Sequence, residues 1–437
     1  MKHLIIAMLM SLLCAGPAFG ADSGSTSLKE SAAIAVKQHP QVKALLHNRD
    51  AMSRNLAASL GRFFPSLDLS SKYGFQNYNS AGTRNSGTED KTNTASDSTL
   101  SMTVNVFDGM DRYNSYKGAG DRFESAKHRL EDNIETVALD AVRAHVDVLR
   151  NRKLKRMAEE NVQSHKEVLN DILERVNVGA GNRADEMQAR GRLARAESTV
   201  ISYTSALESS EAAYVRATGT TPQNLEPVAY TPALLPDDVK KIVAVALEKN
   251  PKIKVRKADW NASQRDKNVT ESDMYPEVDV VLSSRYTNDL DGAETYVKDN
   301  RAMLQFSWNL FNGGSDYNEI KSAGSRVQQA EAELMNETDD LIRQITSGWA
   351  EYEAAKGQVE KYEEALQYSI QSRDMYLIQF RVGQRSLLDV LDAINEVFSN
   401  MSQLETAKSN RAFSLYKLKT LQGELISTLE IVDMPKS

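Results

Sequence analysis

From Asp121 to Asn177 the chain runs 57 residues without a glycine or a proline. As one helix that stretch is about 85 Å long, far beyond what a globular core needs, so it must pair with other helices along its length. Apolar or small residues recur at Ala158, Val162, Leu169, Ile172 and Val176. The steps alternate four and three once His165 is counted, which is coiled-coil spacing. His165 on that stripe reads as a packed core residue. A return helix is expected over Asn182–Thr218, and an equivalent pair over Ser325–Arg381 and Ser386–Gln422. An earlier helix, Ser27–Arg62, is expected to break at His39-Pro40, because proline disfavours helix at the residue before it.

The pairing of long and short helices occurs twice because the chain is duplicated. His39-Pro40 matches Asn250-Pro251, Phe64-Pro65 matches Tyr275-Pro276, and Leu67-Asp68-Leu69 matches Val278-Asp279-Val280, all 211 residues apart. Phe107-Asp108-Gly109 then matches Phe311-Asn312-Gly313, Tyr113 matches Tyr317, and Gly219 matches Gly423, all 204 apart. Each copy reads as helix, strand, strand, long helix, shorter helix. The expected division is a leader at 1–20, a first repeat at 21–219, a linker at 220–236, a second repeat at 237–423 and a tail at 424–437. The linker holds four of the ten prolines. Linker and tail occupy matching positions and are expected to belt the long helices.

Strands are expected at about 66–78, 98–108, 277–287 and 301–311, with Asn79–Asp97 as a polar loop. On one face stand Leu67, Leu69, Tyr73, Phe75, Leu100, Met102, Val104 and Val106, and in the second copy Val278, Val280, Leu282, Tyr286, Leu304, Phe306, Trp308 and Leu310. The other face carries Asp68, Ser70, Lys72, Ser101, Thr103, Asp279, Ser283 and Gln305. About ten residues with one apolar face is the length and pattern of an outer-membrane strand. A single such hairpin fits a soluble sheet packed on helices better; two equivalent hairpins behind a signal peptide, beside helices committed to one another, reverse that preference. Four strands cannot close a barrel, and an open edge in lipid leaves backbone groups unpaired. Copies must pool strands, eight from two or twelve from three.

Residues 1–20 read as a secretory signal peptide: Lys2, an apolar run over Leu4–Leu13, and Ala18-Phe19-Gly20 as a cleavage site. The single cysteine, Cys14, lies inside it, and the leucine before it does not fit a lipoprotein signal. The exported chain therefore has no thiol, disulfide or cysteine metal site. A net charge of −7 argues against a nucleic-acid partner. Neither a phosphate-cradling glycine loop nor an HExxH or GxSxG motif occurs. The six histidines, at 3, 39, 47, 128, 145 and 165, form no catalytic or metal pattern. An enzyme, a cofactor and a resident metal are not expected.

Chemistry concentrates at the turns between long and short helices. In Arg381–Ala393, RVGQRSLLDVLDA, Gly383 can end one helix and Ser386 can cap the next. Asp389 and Asp392 follow three residues apart, on one face. A weaker copy stands at Arg175–Ala189, RVNVGAGNRADEMQA, with Gly179, Asn182 and Asp185 in the corresponding roles. Ser386-x-x-Asp389 and Asn182-x-x-Asp185 also read as capping boxes. Capping does not account for Asp392, which lies past the first turn.

The element order, the duplication and the sequence Val382-Gly383-Gln384-Arg385-Ser386-Leu387-Leu388-Asp389-Val390-Leu391-Asp392-Ala393 resemble the TolC family of outer-membrane channel-tunnels, over essentially all of the exported chain. The resemblance implies a mainly α fold with a membrane β-barrel portion: a homotrimer with a twelve-stranded barrel and a twelve-helix periplasmic tunnel. It implies a passive exit duct docked on a periplasmic adaptor and an inner-membrane ABC or proton-driven transporter. Type I protein secretion is the expected use, multidrug or small-molecule efflux the alternative. It further implies that Asp389 and Asp392 form a cation-attracting constriction at the periplasmic tip, and that Arg385 and Asp185 latch it. Two positions depart from the family: Phe380 stands for a tyrosine, and Ala184 for a hydroxyl residue. A periplasmic adaptor also carries helical hairpins, but usually one, without strands of lipid-spanning length.

Overall fold

The structure, a computed structural model, describes residues 25–236 and 238–431. The expected leader lies outside those residues. The order is α1 (Leu28–Gln38), α2 (Pro40–Gly61), β1 (Ser66–Asn77), α3 (Ala81–Ser86), β2 (Thr92–Phe107), α4 (Asp111–Asn177), α5 (Arg183–Thr218), α6 (Val239–Lys249), α7 (Pro251–Ser272), β3 (Glu277–Asn288), β4 (Tyr296–Ser307), α8 (Ser315–Arg381), α9 (Leu387–Gln422) and α10 (Leu425–Thr428). Corresponding helices have equal lengths: 67 residues in α4 and α8, and 36 in α5 and α9. Pro40 and Pro251 occupy the first position of α2 and α7, where a missing N–H leaves nothing unsatisfied. Asn250 caps α7 by accepting from the Lys252 and Ile253 amides at 2.8 and 3.3 Å.

Several expected boundaries are corrected. The long helices begin at Asp111 and Ser315, not at Asp121 and Ser325, because Gly118, Gly120 and Gly324 are carried inside them. At Gly118 a Cβ would stand 3.2 Å from Arg265 Cβ of α7, so a small residue serves packing there. The polar loop expected over Asn79–Asp97 is shorter. It holds α3, started by a reciprocal Ser80–Thr83 capping box and ended by Gly87 at φ 66°, and β2 already begins at Thr92. β4 spans Tyr296–Ser307, not 301–311. The expected break at His39-Pro40 is present, with His39 lying between α1 and α2 as the N-cap of α2.

The described residues pack as two compact units. One comprises Ala35–Asp140, Thr231–Gln358 and the residues from Phe413 onward. It contains the antiparallel sheet, ordered β1-β2-β3-β4. The register sets Leu67 against Met102, Met102 against Leu282, and Leu282 against Ala302. Leu69, Tyr73, Phe75, Leu304 and Phe306 share that face and stand exposed, Tyr73 by 80% and Phe75 by 82%. A continuous apolar face of this kind calls for a non-aqueous cover. On the opposite face Arg285 binds Asp97 through two 2.9 Å hydrogen bonds. In the same unit the buried Glu135 carboxylate accepts from the Leu425 and Ile426 amides at 3.0 and 3.3 Å. Burial pushes its pKa up to about 7 against the pull of those amides.

The other unit comprises the described residues up to Ile34, Ala141–Tyr230 and Val359–Ala412. His145 is fully buried, with Nε2 2.9 Å from the Glu226 carbonyl and Nδ1 2.9 Å from Ser31 Oγ. Because a carbonyl only accepts, Nε2 carries the proton and Nδ1 accepts from Ser31. Ser31 in turn lies 2.9 Å from the Tyr214 hydroxyl. Burial lowers the His145 pKa, which keeps this relay neutral. His165 is buried as expected.

Candidate functional site at the helix turns

Two turns of identical backbone form join α4 to α5 and α8 to α9. Gly179 and Gly383 both adopt φ 74°, the left-handed conformation that ends a helix at little cost only with glycine. In the first turn the Gly179 amide donates to Val176 O at 3.1 Å and the Ala180 amide to Arg175 O at 2.9 Å. In the second, Gly383 donates to Phe380 O at 3.1 Å and Gln384 to Gln379 O at 2.9 Å. The helix starts differ. Asn182 accepts from the Ala184 amide at 2.9 Å, two residues on, whereas Ser386 accepts from the Asp389 amide at 3.2 Å, three residues on. Each is a one-sided cap; among the described hydrogen bonds neither shows the reciprocal half of a capping box.

The carboxylates carry unequal partnerships. Asp392 is bound by Arg192 of α5, Nη2 to Oδ1 at 2.7 Å. Asp389 has Arg385 four residues earlier, at 3.8 Å, beyond hydrogen-bond reach. Arg385 is held by its own hairpin, its guanidinium 3.9 Å from the centre of the Tyr376 ring, with Nε buried and without a hydrogen-bond partner among the described residues. Asp185 stands in the first turn of α5 and has no ion-pair partner among the described residues. The structure therefore does not bring Asp185 to Arg385 within one chain.

Phe380, where a hydroxyl was expected to be missed, has another use. Its ring lies 4.5 Å below the Arg175 guanidinium, and Arg175 Nη2 reaches Phe380 O at 3.4 Å. Beneath both turns Leu387, Val390, Leu391 and Ile394 pack with Val168, Leu169, Ile172, Ala189 and Phe380. His165 Nε2 lies 3.4 Å from Asn395 Oδ1, and burial lowers its pKa. Arg175, Arg192 and Tyr376 were not singled out from sequence. The repeat offset does place Arg192 level with Glu396, one helical turn past Asp392, and that was the available signal. No group of acidic or histidine residues among those described forms a metal site.

A family model described as outer membrane efflux protein matches residues 33–220 and 242–424. The outer membrane efflux protein BepC of Brucella suis is 24% identical over 322 residues, covering 73% of this chain and 70% of BepC. Outer membrane protein TolC of Escherichia coli is 20% identical over 97% of this chain and 87% of its own. Among solved structures, the CmeC outer membrane channel of Campylobacter jejuni superimposes with a TM-score of 0.81 at 15% identity, over 91% of this chain and 86% of CmeC. No helix among the described residues is long and apolar enough to cross a membrane. The chain belongs to the outer membrane efflux protein family and is an outer-membrane channel of the TolC type, with a periplasmic helical tunnel.

Proposed function

We propose that the chain acts as a homotrimer in which three four-stranded sheets close one twelve-stranded barrel. The observation that carries this reading is the sheet itself. Its apolar face is exposed, and β1 and β4 each have a single strand partner; only closure with further strands satisfies such edges in lipid. Repeats 21–219 and 237–423 each supply one strand hairpin and one helix hairpin, with 220–236 and 424–437 as the surrounding belt. The duct is passive and performs no catalysis. It takes cargo from a periplasmic adaptor and an inner-membrane ABC or proton-driven transporter, and it is constricted where Asp389 and Asp392 of three copies meet. An acidic ring attracts cations, so multivalent cations should block it from the periplasmic side.

Two cargo readings remain, and the transporter decides between them. Type I protein secretion is the reading drawn from sequence. Small-molecule efflux is favoured by the family description and by the efflux protein BepC. Deleting the gene tests both: loss of a secreted polypeptide from the medium supports the first, and increased sensitivity to dyes, detergents and drugs supports the second. For the duct, single-channel conductance in planar bilayers is the test. Asp389→Asn with Asp392→Asn should abolish trivalent-cation block; an unchanged block would remove the acidic constriction from the account, and a folded protein without conductance would remove the channel.

A further inference from the structure

Asp392 is not a bare carboxylate. Arg192 reaches it from the other helix hairpin, Nη2 to Oδ1 at 2.7 Å, with the arginine side chain 25% exposed and the aspartate 56%. Such a charge-assisted bond occupies one carboxylate oxygen and offsets its charge. Asp389, in contrast, meets Arg385 only at 3.8 Å, and that guanidinium is turned onto Tyr376. We propose that Arg192 is a built-in counter-charge that competes with cations for Asp392 and sets how weakly the tip holds them. This rests on the reading of Asp389 and Asp392 as a cation-attracting constriction.

A guanidinium does not lose its proton in a protein, so the compensation is present at every pH. A multivalent cation arriving at Asp392 must displace Arg192 or settle for the second oxygen. Asp389 is then the less compensated of the two carboxylates, although its side chain is 42% exposed against 56% for Asp392. A purely structural role is a weak explanation for the pair, because ion pairs this exposed add little to stability. Removing Arg192 uncovers one negative charge per copy at the constriction, where several carboxylates act on one cation together.

The experiment is trivalent-cation block, with hexaamminecobalt(III) added to the periplasmic side of single channels in planar bilayers. Arg192→Gln should tighten block about tenfold, as a nearby uncompensated charge implies. Arg192→Lys keeps the charge and should stay within about twofold of the parent channel. Combining Arg192→Gln with Asp392→Asn should return block towards the parent value. A merely structural Arg192 would change open conductance or thermal stability and leave block affinity unmoved. Unchanged block in Arg192→Gln, with block lost in the Asp389→Asn/Asp392→Asn channel, overturns the counter-charge and leaves the acidic constriction standing. Tightening by both Gln and Lys also overturns it, because geometry and not charge would then control access. Block unchanged even in the double aspartate variant removes the constriction, and this inference with it.

Discussion

The two helix turns have the same backbone and are held unequally. Around the second, Leu387, Val390, Leu391 and Ile394 of α9 are buried beside Phe380 of α8, and Arg385 stacks on Tyr376 of its own hairpin. Around the first, α5 contributes Ala189 and the partly buried Leu193, while Val178 and Met187 are exposed. The first hairpin also reaches into the second through polar side chains: Arg175 over Phe380, Arg192 on Asp392, and His165 against Asn395. Both turns stand on one shared core, to which α9 gives more than α5, and the first turn adds long polar arms. A duplicated chain has thus kept one geometry and divided the labour, and a turn held in part by polar arms is the one that solution conditions can release.

The largest test of that contrast removes core. Leu391→Ala, at a fully buried position, should cost about 2–5 kcal/mol, whereas Leu193→Ala, partly buried, should cost clearly less. Thermal unfolding of the purified protein in detergent reads both, and equal losses would break the contrast. Next come the turn glycines. Gly383→Ala and Gly179→Ala each force an L residue to φ 74°, at about 1–2 kcal/mol. Open space surrounds both glycines, so the two penalties should match. Unequal penalties would mean that the turns differ in more than their supports.

Much of this was legible in the chain because it is local. Glycine ends a helix, proline starts one, and alternation marks a strand face; each signal acts within a few residues. The strand face was read correctly from Leu67 to Leu304 for that reason. The errors arose where a distant partner decides. β4 stops at Ser307 although Trp308-Asn309-Leu310 continues the alternation, because Ser307 pairs with Glu277 and the next residue of that neighbour is Pro276, which has no N–H to give. β2 begins early because Thr92–Asp97, polar except for Ala95, pairs with Lys72–Asn77. Asp392 was visible as a residue that capping does not explain, but its partner lies 200 residues away. Ion pairs of that kind leave no periodic trace.

A smaller effect sharpens the account of the arms. The Arg175–Phe380 contact joins the hairpins, and the Arg385–Tyr376 contact lies within one. A double-mutant cycle of Arg175→Met with Phe380→Leu and another of Arg385→Met with Tyr376→Leu should each return about 0.5–1 kcal/mol of coupling. Their consequences should differ. Loss of the first should increase protease cleavage or hydrogen exchange at Val178–Asn182, while loss of the second should leave that segment protected. Equal exposure of the first turn in both cycles would show that its arms are not what holds it.

The smallest expected effect is in pH, and it isolates a single arm. His165 is buried; burial and, less strongly, the Arg192 charge lower its pKa, while the contact with Asn395 opposes them. The Asn395 carboxamide oxygen only accepts, so Nε2 carries the hydrogen of the neutral ring and Nδ1 has no partner among the described residues. A second proton on Nδ1 would have no acceptor. The folded protein therefore prefers neutral His165, while the unfolded chain takes up a proton below its ordinary pKa of about 6.5. The stability contributed by the neutral ring is complete above that value and declines as pH falls through it towards the folded pKa. From about pH 7.5 to about pH 5.5 this contribution lowers the thermal midpoint, while the buried Glu135, its pKa pushed up to about 7, acts in the opposite direction; His165→Gln should remove the first effect and leave the second. His145, whose pKa is lowered in the same direction by burial, adds a further fall. A slope unchanged in His165→Gln would place the pH sensitivity in other groups, His145 and Glu135 among them, and leave the arm from α4 to Asn395 without a titrating role.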